Sequence, residues 1–117
     1  ESGDNWEDWY KLTSLKLTHV NSNITSLNGH FLRECGNLVA VDLSGLTNIR
    51  KIDKYFLREC SSLQWVALPN IDISKVSTSS DRFMEDVSTK ISFHCGEAAS
   101  TYRNTAPWSN RAHQFIK

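Results

Sequence analysis

Cysteine and histidine are the residues of this chain that could carry nucleophilic or metal chemistry. A thiolate is most reactive beside a base that accepts its proton, and Cys95 directly follows His94. A cysteine-dependent enzyme that uses Cys95 and His94 is therefore one hypothesis for the function. The chain has no glycine-rich phosphate loop and no Gly-x-Ser-x-Gly element, which are common signs of catalysis. We predict that the protein is not an enzyme.

A metal site needs ligands at short spacings, such as Cys-x-x-Cys or His-x-x-x-His. Neither pattern occurs, and the four histidines are scattered over different segments, at His19, His30, His94 and His113. Neighbouring residues on a strand point to opposite faces, so His94 and Cys95 are poorly placed to share one ion. We predict no metal site and no cofactor.

The charges of the chain balance. Thirteen basic and 13 acidic residues give a formal net charge of zero, whereas nucleic-acid binding depends on a clustered excess of Lys and Arg. No apolar run approaches the ~20 residues of a membrane-spanning helix. We therefore expect no nucleic-acid partner and no membrane insertion. The chain does not begin with methionine, and we expect a processed protein or a fragment of a longer one.

An internal repeat determines which elements position these residues. The word Phe-Leu-Arg-Glu-Cys begins at Phe31 and again at Phe56, and subtracting 31 from 56 sets the repeat period at 25. Residues 38–43 align with 63–68 at the same period. Self-similarity at this length is typical of repeat architectures, in which stacked units bury a shared core.

The repeat predicts both strands and helical returns. Apolar and polar residues alternate in four segments, as in a half-buried strand; these segments are 12–18, 38–44, 63–69 and 89–94. Between strands, the spacing of Ile52, Phe56, Leu57 and Cys60 fits one face of a helix. We expect a turn or two of α or 3₁₀ helix there.

The order Leu-x-x-Val-x-Leu, then Phe-Leu-x-x-Cys-x-x-Leu, resembles the leucine-rich repeats of the BspA-like family. The resemblance covers residues 12–68 well and 69–95 loosely. It implies an α/β repeat solenoid, curved, with about four parallel strands on the concave face and short helical returns on the convex side. It also implies a surface or interaction protein. We expect one domain over 1–117, with the repeats at 12–95.

The two ends of such a stack need closing units. At residues 1–11, Trp6, Trp9 and Tyr10 have the spacing of one helix face. They predict a short capping helix or, if exposed, an aromatic patch for a partner. Residues 96–117 form either a second cap or a docking tail.

The cysteines bear on the compartment. Cys35 and Cys60 occupy equivalent repeat positions, where a buried thiol serves as a small hydrophobe. This interpretation favours a reducing intracellular compartment, although stacking would also allow a disulfide between them. The sequon Asn23-Ile24-Thr25 instead suits a secreted or cell-surface protein.

The concave face is the candidate binding surface. With Val41 and Val66 directed inward, the repeat period predicts an outward row that contains Ala40, Trp65 and Lys90. Trp65 lies beside the small Ala40 in this row, and Trp is enriched at binding hot spots.

The predicted partner-binding residues are Trp65, Asp42, Lys16, Lys90 and His94. They predict a non-catalytic protein–protein interaction module, either a subunit or a fragment of a larger assembly. A purely structural spacer is the further alternative.

Overall fold

The first seven short strands alternate along the chain between two parallel sheets, and the eighth joins the larger sheet. The computed structural model describes residues 14–16, 23–27, 32 and 35–116. The strands are β1 (Ser14–Lys16), β2 (Ser26–Leu27), β3 (Ala40–Asp42), β4 (Lys51–Ile52), β5 (Trp65–Ala67), β6 (Ser77–Thr78), β7 (Ser92–His94) and β8 (Phe115–Ile116). The larger sheet has the order β1-β3-β5-β7-β8, and the smaller has the order β2-β4-β6.

The register of the larger sheet follows the repeat from β3 to β5 but not from β5 to β7. Ala40 pairs with Trp65, one full period later in the chain. The next step is longer, because Trp65 pairs with Ser92 rather than with Lys90. The prediction of Lys90 in that row is wrong by two residues. Consequently Phe93, rather than Ile91, lies beside Val66.

The returning segments are not helical where they carry the repeated aromatic. Residues 54–59 and 81–86 form turns. Six non-glycine residues in these two turns have positive φ: Tyr55, Leu57, Glu59, Arg82, Met84 and Asp86. Every second residue is thus left-handed, which is incompatible with a right-handed helix.

Backbone hydrogen bonds join the two turns directly. The amide of Glu59 donates to the carbonyl of Glu85 at 2.6 Å, and that of Met84 donates to the carbonyl of Phe56 at 2.8 Å. The smaller sheet precedes the turns in each return and pairs in parallel in the same way. The returning segments therefore stack on one another through short strands and turns rather than through helices.

The predicted curved leucine-rich-repeat solenoid with a convex helical side is wrong. The molecule is a small, compact α/β domain of 33 × 30 × 23 Å, with two parallel sheets and few, short helices. Its radius of gyration is 12.7 Å, close to the ~13 Å of a globular domain of about 100 residues. Buried residues of both sheets, such as Ile52 and Val66, belong to one core.

The chain after β7 packs onto the core. It contains helix α1 (Ala99–Arg103) and two 3₁₀ segments, Gly96–Ala98 and Trp108–Gln114. Tyr102, Trp108 and Phe115 are buried there, and the rings of Tyr102 and Trp108 meet edge to face at 5.1 Å. The described part of 96–117 therefore lies against the domain. The predicted cap at Trp6, Trp9 and Tyr10 lies outside the described residues.

Across the described ranges, no helix has both the length and the apolar character needed to cross a bilayer.

Candidate functional site

The candidate site is one side of the larger sheet, centred on Trp65. We call the outward-facing, at least partly exposed side chains of Ala40, Asp42, Trp65, Ser92 and His94 the sheet face. Strand alternation turns Trp65 outward because Val66 is buried in the core. Trp65 is 37% exposed and is the one aromatic among the exposed large hydrophobic residues in the described part of the chain.

His94 positions the indole of Trp65. The two rings stack with their centroids 5.4 Å apart and their planes 29° apart. His94 is held in turn by Ser92, whose Oγ lies 2.9 Å from His94 Nε2. Offset stacking of this kind contributes about 0.5 to 1.5 kcal/mol beyond area burial. Trp65 is thus a positioned ring, although it faces solvent.

The Ser92–His94 pair resembles part of a nucleophile–base arrangement. Such sites use a third group that orients the base. Among the described residues, the side chain of His94 makes its hydrogen bond with Ser92 and its ring contact with Trp65, and neither partner is a carboxylate. The pair therefore lacks the usual support for catalysis.

Asp42 lies on the strand next to Trp65. Its Oδ1 accepts hydrogen bonds from the amide and the hydroxyl of Ser44, at 3.0 and 2.6 Å. Lys16 pairs with Asp42 in the backbone register of β1 and β3. His94 pairs with Ala67, the partner of Asp42 on β5. Three of the predicted residues, Asp42, Trp65 and His94, thus meet on the sheet face, and Lys16 lies at the same level.

Lys90 lies elsewhere. It precedes β7 and is exposed at an open groove of about 720 Å³. The other residues that line this groove are Val39, Ser61, Ser62, Leu63, Gln64 and Ser88. The two additional residues between β5 and β7 move Lys90 off the predicted row.

The sequence reasoning missed two residues of this surface. Ser92 takes the place beside Trp65 that was predicted for Lys90. Ile116 pairs with His94 at the sheet edge and is 47% exposed. A signal for the first existed, because Phe83-Met84 lies two positions further beyond Phe56-Leu57 than the repeat period predicts. The pairing of β8 had no repeat signal.

Cys95 is poorly suited to nucleophilic chemistry. Its side chain is in the core and only 2% exposed, whereas His94 faces the opposite side of the sheet with Trp65. Burial raises the pKa of the Cys95 thiol to about 11. A reactive cysteine requires a lowered pKa and access to solvent. The geometry therefore does not support the enzyme hypothesis that pairs these two residues.

The repeat cysteines are buried thiols. Cys35, Cys60 and Cys95 form no disulfide, and Cys60 Sγ donates to the carbonyl of Leu32 at 2.9 Å. A hydrogen bond with Cys35, together with burial, raises the pKa of the Cys60 thiol far above its usual range. Both side chains belong to the hydrophobic core.

A cluster of three acidic side chains was not predicted from the sequence. Carboxylate oxygens of Glu59, Glu85 and Asp86 lie within 4.8 Å of one another. Arg58 and Arg82 neutralise part of this charge, since they contact Glu85 at 2.6 and 3.2 Å. The hydrogen bond from Arg58 is the main reason that the pKa of Glu85 is lowered. These contacts identify an ion-paired surface on the stacked turns.

Comparison of the chain with protein-family models, curated proteins and solved structures gave no match. The resemblance to the BspA-like family therefore stays a prediction from the repeated motifs.

Proposed function

We propose that this domain is a non-catalytic protein-binding module and that the sheet face is its contact surface. The observation that carries the proposal is the exposed, oriented ring of Trp65. Large aromatic side chains dominate the energetics of protein interfaces when a partner desolvates them. Trp65 is 37% exposed in the free domain, so a partner could still bury this surface on binding.

The surroundings of Trp65 support this proposal. The ring stands on the central strand of the five-stranded sheet, so its backbone is held by neighbours on both sides. Its stacking on His94 restricts the side chain before binding. A preorganised side chain loses less conformational entropy on association. The adjacent Ala40 is small, which leaves room for a partner group beside the indole.

The two alternatives have weaker support. The cysteine-dependent enzyme needs a thiolate, and the Cys95 thiol is buried with its pKa raised to about 11. A structural spacer does not require a large exposed aromatic, although single exposed apolar residues are common on protein surfaces. The following experiment separates the spacer from the binding module.

The test compares Trp65→Ala with Val39→Ala. Val39 is 38% exposed, much like Trp65, but it precedes β3 and lies at the groove. Each variant and the wild type are immobilised and exposed to an extract of the native source, and retained proteins are quantified by mass spectrometry. Proteins retained by the wild type are then purified and titrated.

We expect Trp65→Ala to weaken binding of such a protein about 30-fold or more, which corresponds to the ~2 kcal/mol threshold of a hot spot. Val39→Ala should change the affinity less than threefold. Equal binding by all three proteins would place the interface elsewhere. The absence of any specific binder would favour the spacer.

A further inference from the structure

We infer that the sheet face contains a slot for an arginine side chain of the partner, formed by Trp65, Ala40 and Asp42. This inference rests on the proposed function, because it specifies the chemistry of a partner that binds the same surface. It goes further in that it names one group, a guanidinium, and the side chains that hold it.

The first part of the slot is the face of the Trp65 indole on which no described ring stacks. His94 belongs to β7 and stacks on Trp65 from that side. On the other side of β5, the cross-strand partner of Trp65 is Ala40 of β3. A methyl group is too short to cover an indole. Among the described residues, His94 is the one ring that contacts Trp65, so on the Ala40 side no described ring occupies the indole face.

The second part is the carboxylate of Asp42. Asp42 is two residues beyond Ala40 on β3, so it lies about 4.8 Å across and about 6.6 Å along the strands from Trp65. Both hydrogen bonds from Ser44 go to Oδ1. No described residue hydrogen-bonds Oδ2. An acceptor oxygen is thus available at the end of the slot.

These two parts select a planar cation. An aromatic face attracts a cation within about 6 Å of the ring centroid. A guanidinium can lie flat on the ring while its edge donates to a carboxylate, whereas an ammonium is a compact, strongly hydrated charge without a planar face. No described cationic side chain forms an ion pair with Asp42. The charge of the slot therefore fits an arginine better than an acidic or neutral group.

The chain offers a matched control for Asp42. Asp72 has the same local hydrogen bonds, since its Oδ1 accepts from the amide and hydroxyl of Ser74 at 3.1 and 2.5 Å. It caps the 3₁₀ segment Ile73–Lys75 and does not belong to a strand of the larger sheet. Asp42→Asn and Asp72→Asn should therefore perturb the local turn equally, while only the first removes charge from the slot.

The test is a titration monitored by NMR. The probes are the peptide acetyl-Gly-Arg-Gly-amide and its citrulline counterpart, which has a similar shape without the charge. The signal is the indole Nε1–H of Trp65 in the ¹⁵N-labelled full chain, assigned by its loss in Trp65→Phe. The proteins are the wild type, Asp42→Asn, Asp72→Asn and Lys16→Met.

We expect the arginine peptide to shift the Trp65 signal saturably in the wild type and in Asp72→Asn. The citrulline peptide, and the arginine peptide with Asp42→Asn, should bind about tenfold more weakly, because a charge-assisted hydrogen bond is lost. Equal shifts with both peptides, or in both aspartate variants, would overturn the inference. So would binding that occurs only in Lys16→Met, because the chain's own lysine would then occupy the slot.

Failure here is distinguishable from failure of the proposed function. If no Trp65 shift occurs but Trp65→Ala still loses a captured protein, the partner binds the sheet face through other chemistry and only the slot is wrong. If Trp65→Ala also binds every captured protein normally, the contact surface itself is wrong.

Discussion

Replacement of Phe56 by Ala should destabilise the domain by about 3 to 5 kcal/mol. Phe56 is 3% exposed, and its ring lies 5.7 Å from the centroids of both Phe83 and Trp108. Truncation removes the transfer energy of the ring and leaves a cavity between the stacked turns and the C-terminal segment. A domain of this size has a total stability of roughly 6 to 18 kcal/mol, so this loss is a large fraction.

The loss of stability is measured by urea denaturation monitored by circular dichroism, and the slope of the transition is compared between variants. The melting temperature should fall by about 12 to 20 °C, at roughly 4 °C per kcal/mol. Trp65→Ala serves as the control, because it removes a larger ring from an exposed position and should cost no more than about 1.5 kcal/mol. A loss below about 1 kcal/mol for Phe56→Ala, at unchanged slope, would refute the placement of this ring in the core.

Three further predictions concern the buried cysteines and Tyr102 and the partly buried Arg111. The three cysteines are buried and should react with iodoacetamide only after denaturation; rapid labelling of the native protein or a disulfide in its mass spectrum would contradict this. Stability should fall as pH rises from about 9 towards 11. Burial raises the pKa of Cys95 to about 11 in the folded protein and also raises the pKa of Tyr102, so the unfolded chain releases these protons at lower pH than the folded chain does. A melting temperature that is constant over this range would contradict the prediction. The guanidinium of Arg111 donates to the carbonyls of Met84, Val87 and Ser88, and Arg111→Met should cost about 1.5 to 3 kcal/mol, with Arg111→Lys intermediate, as measured by urea denaturation.

The sequence predicted β1, β3, β5 and β7 of the larger sheet, but not the smaller sheet, β8 or the compact architecture. Identical spacing between the first copies of the repeat was enough to align Ala40 with Trp65. The spacing from β5 to β7 is two residues longer than the repeat period. The repeated motif is too weak in β7 for these two additional residues to be recognised from the strand sequence. The spacing of Phe56, Leu57 and Cys60 correctly indicated burial but not conformation, because residues on one face of a helix and residues on the inner side of an irregular turn have similar spacing.

The features of the candidate site that follow from strand alternation and register could be predicted from the sequence, and the others could not. The outward direction of Trp65 and its nearness to Asp42 follow from alternation and register alone. The stacking of His94 on Trp65 depends on the shifted register of β7. The exposed Ile116 depends on β8, which joins the sheet through tertiary packing. Pairing that arises from such long-range contacts leaves no periodic signal in the sequence.

The alternating left-handed residues of the two turns restrict which mutations the domain can accept. Their φ angles lie between +52 and +67°. β-Branched residues are disfavoured in that region more strongly than other non-proline types, while glycine and asparagine adopt it readily. Four of the six positions, Tyr55, Glu59, Arg82 and Asp86, are not buried, so backbone preference rather than packing should dominate there. In a saturation library, glycine should therefore be enriched over valine and isoleucine at these four positions. Such a profile is the reverse of what an exposed helix would select.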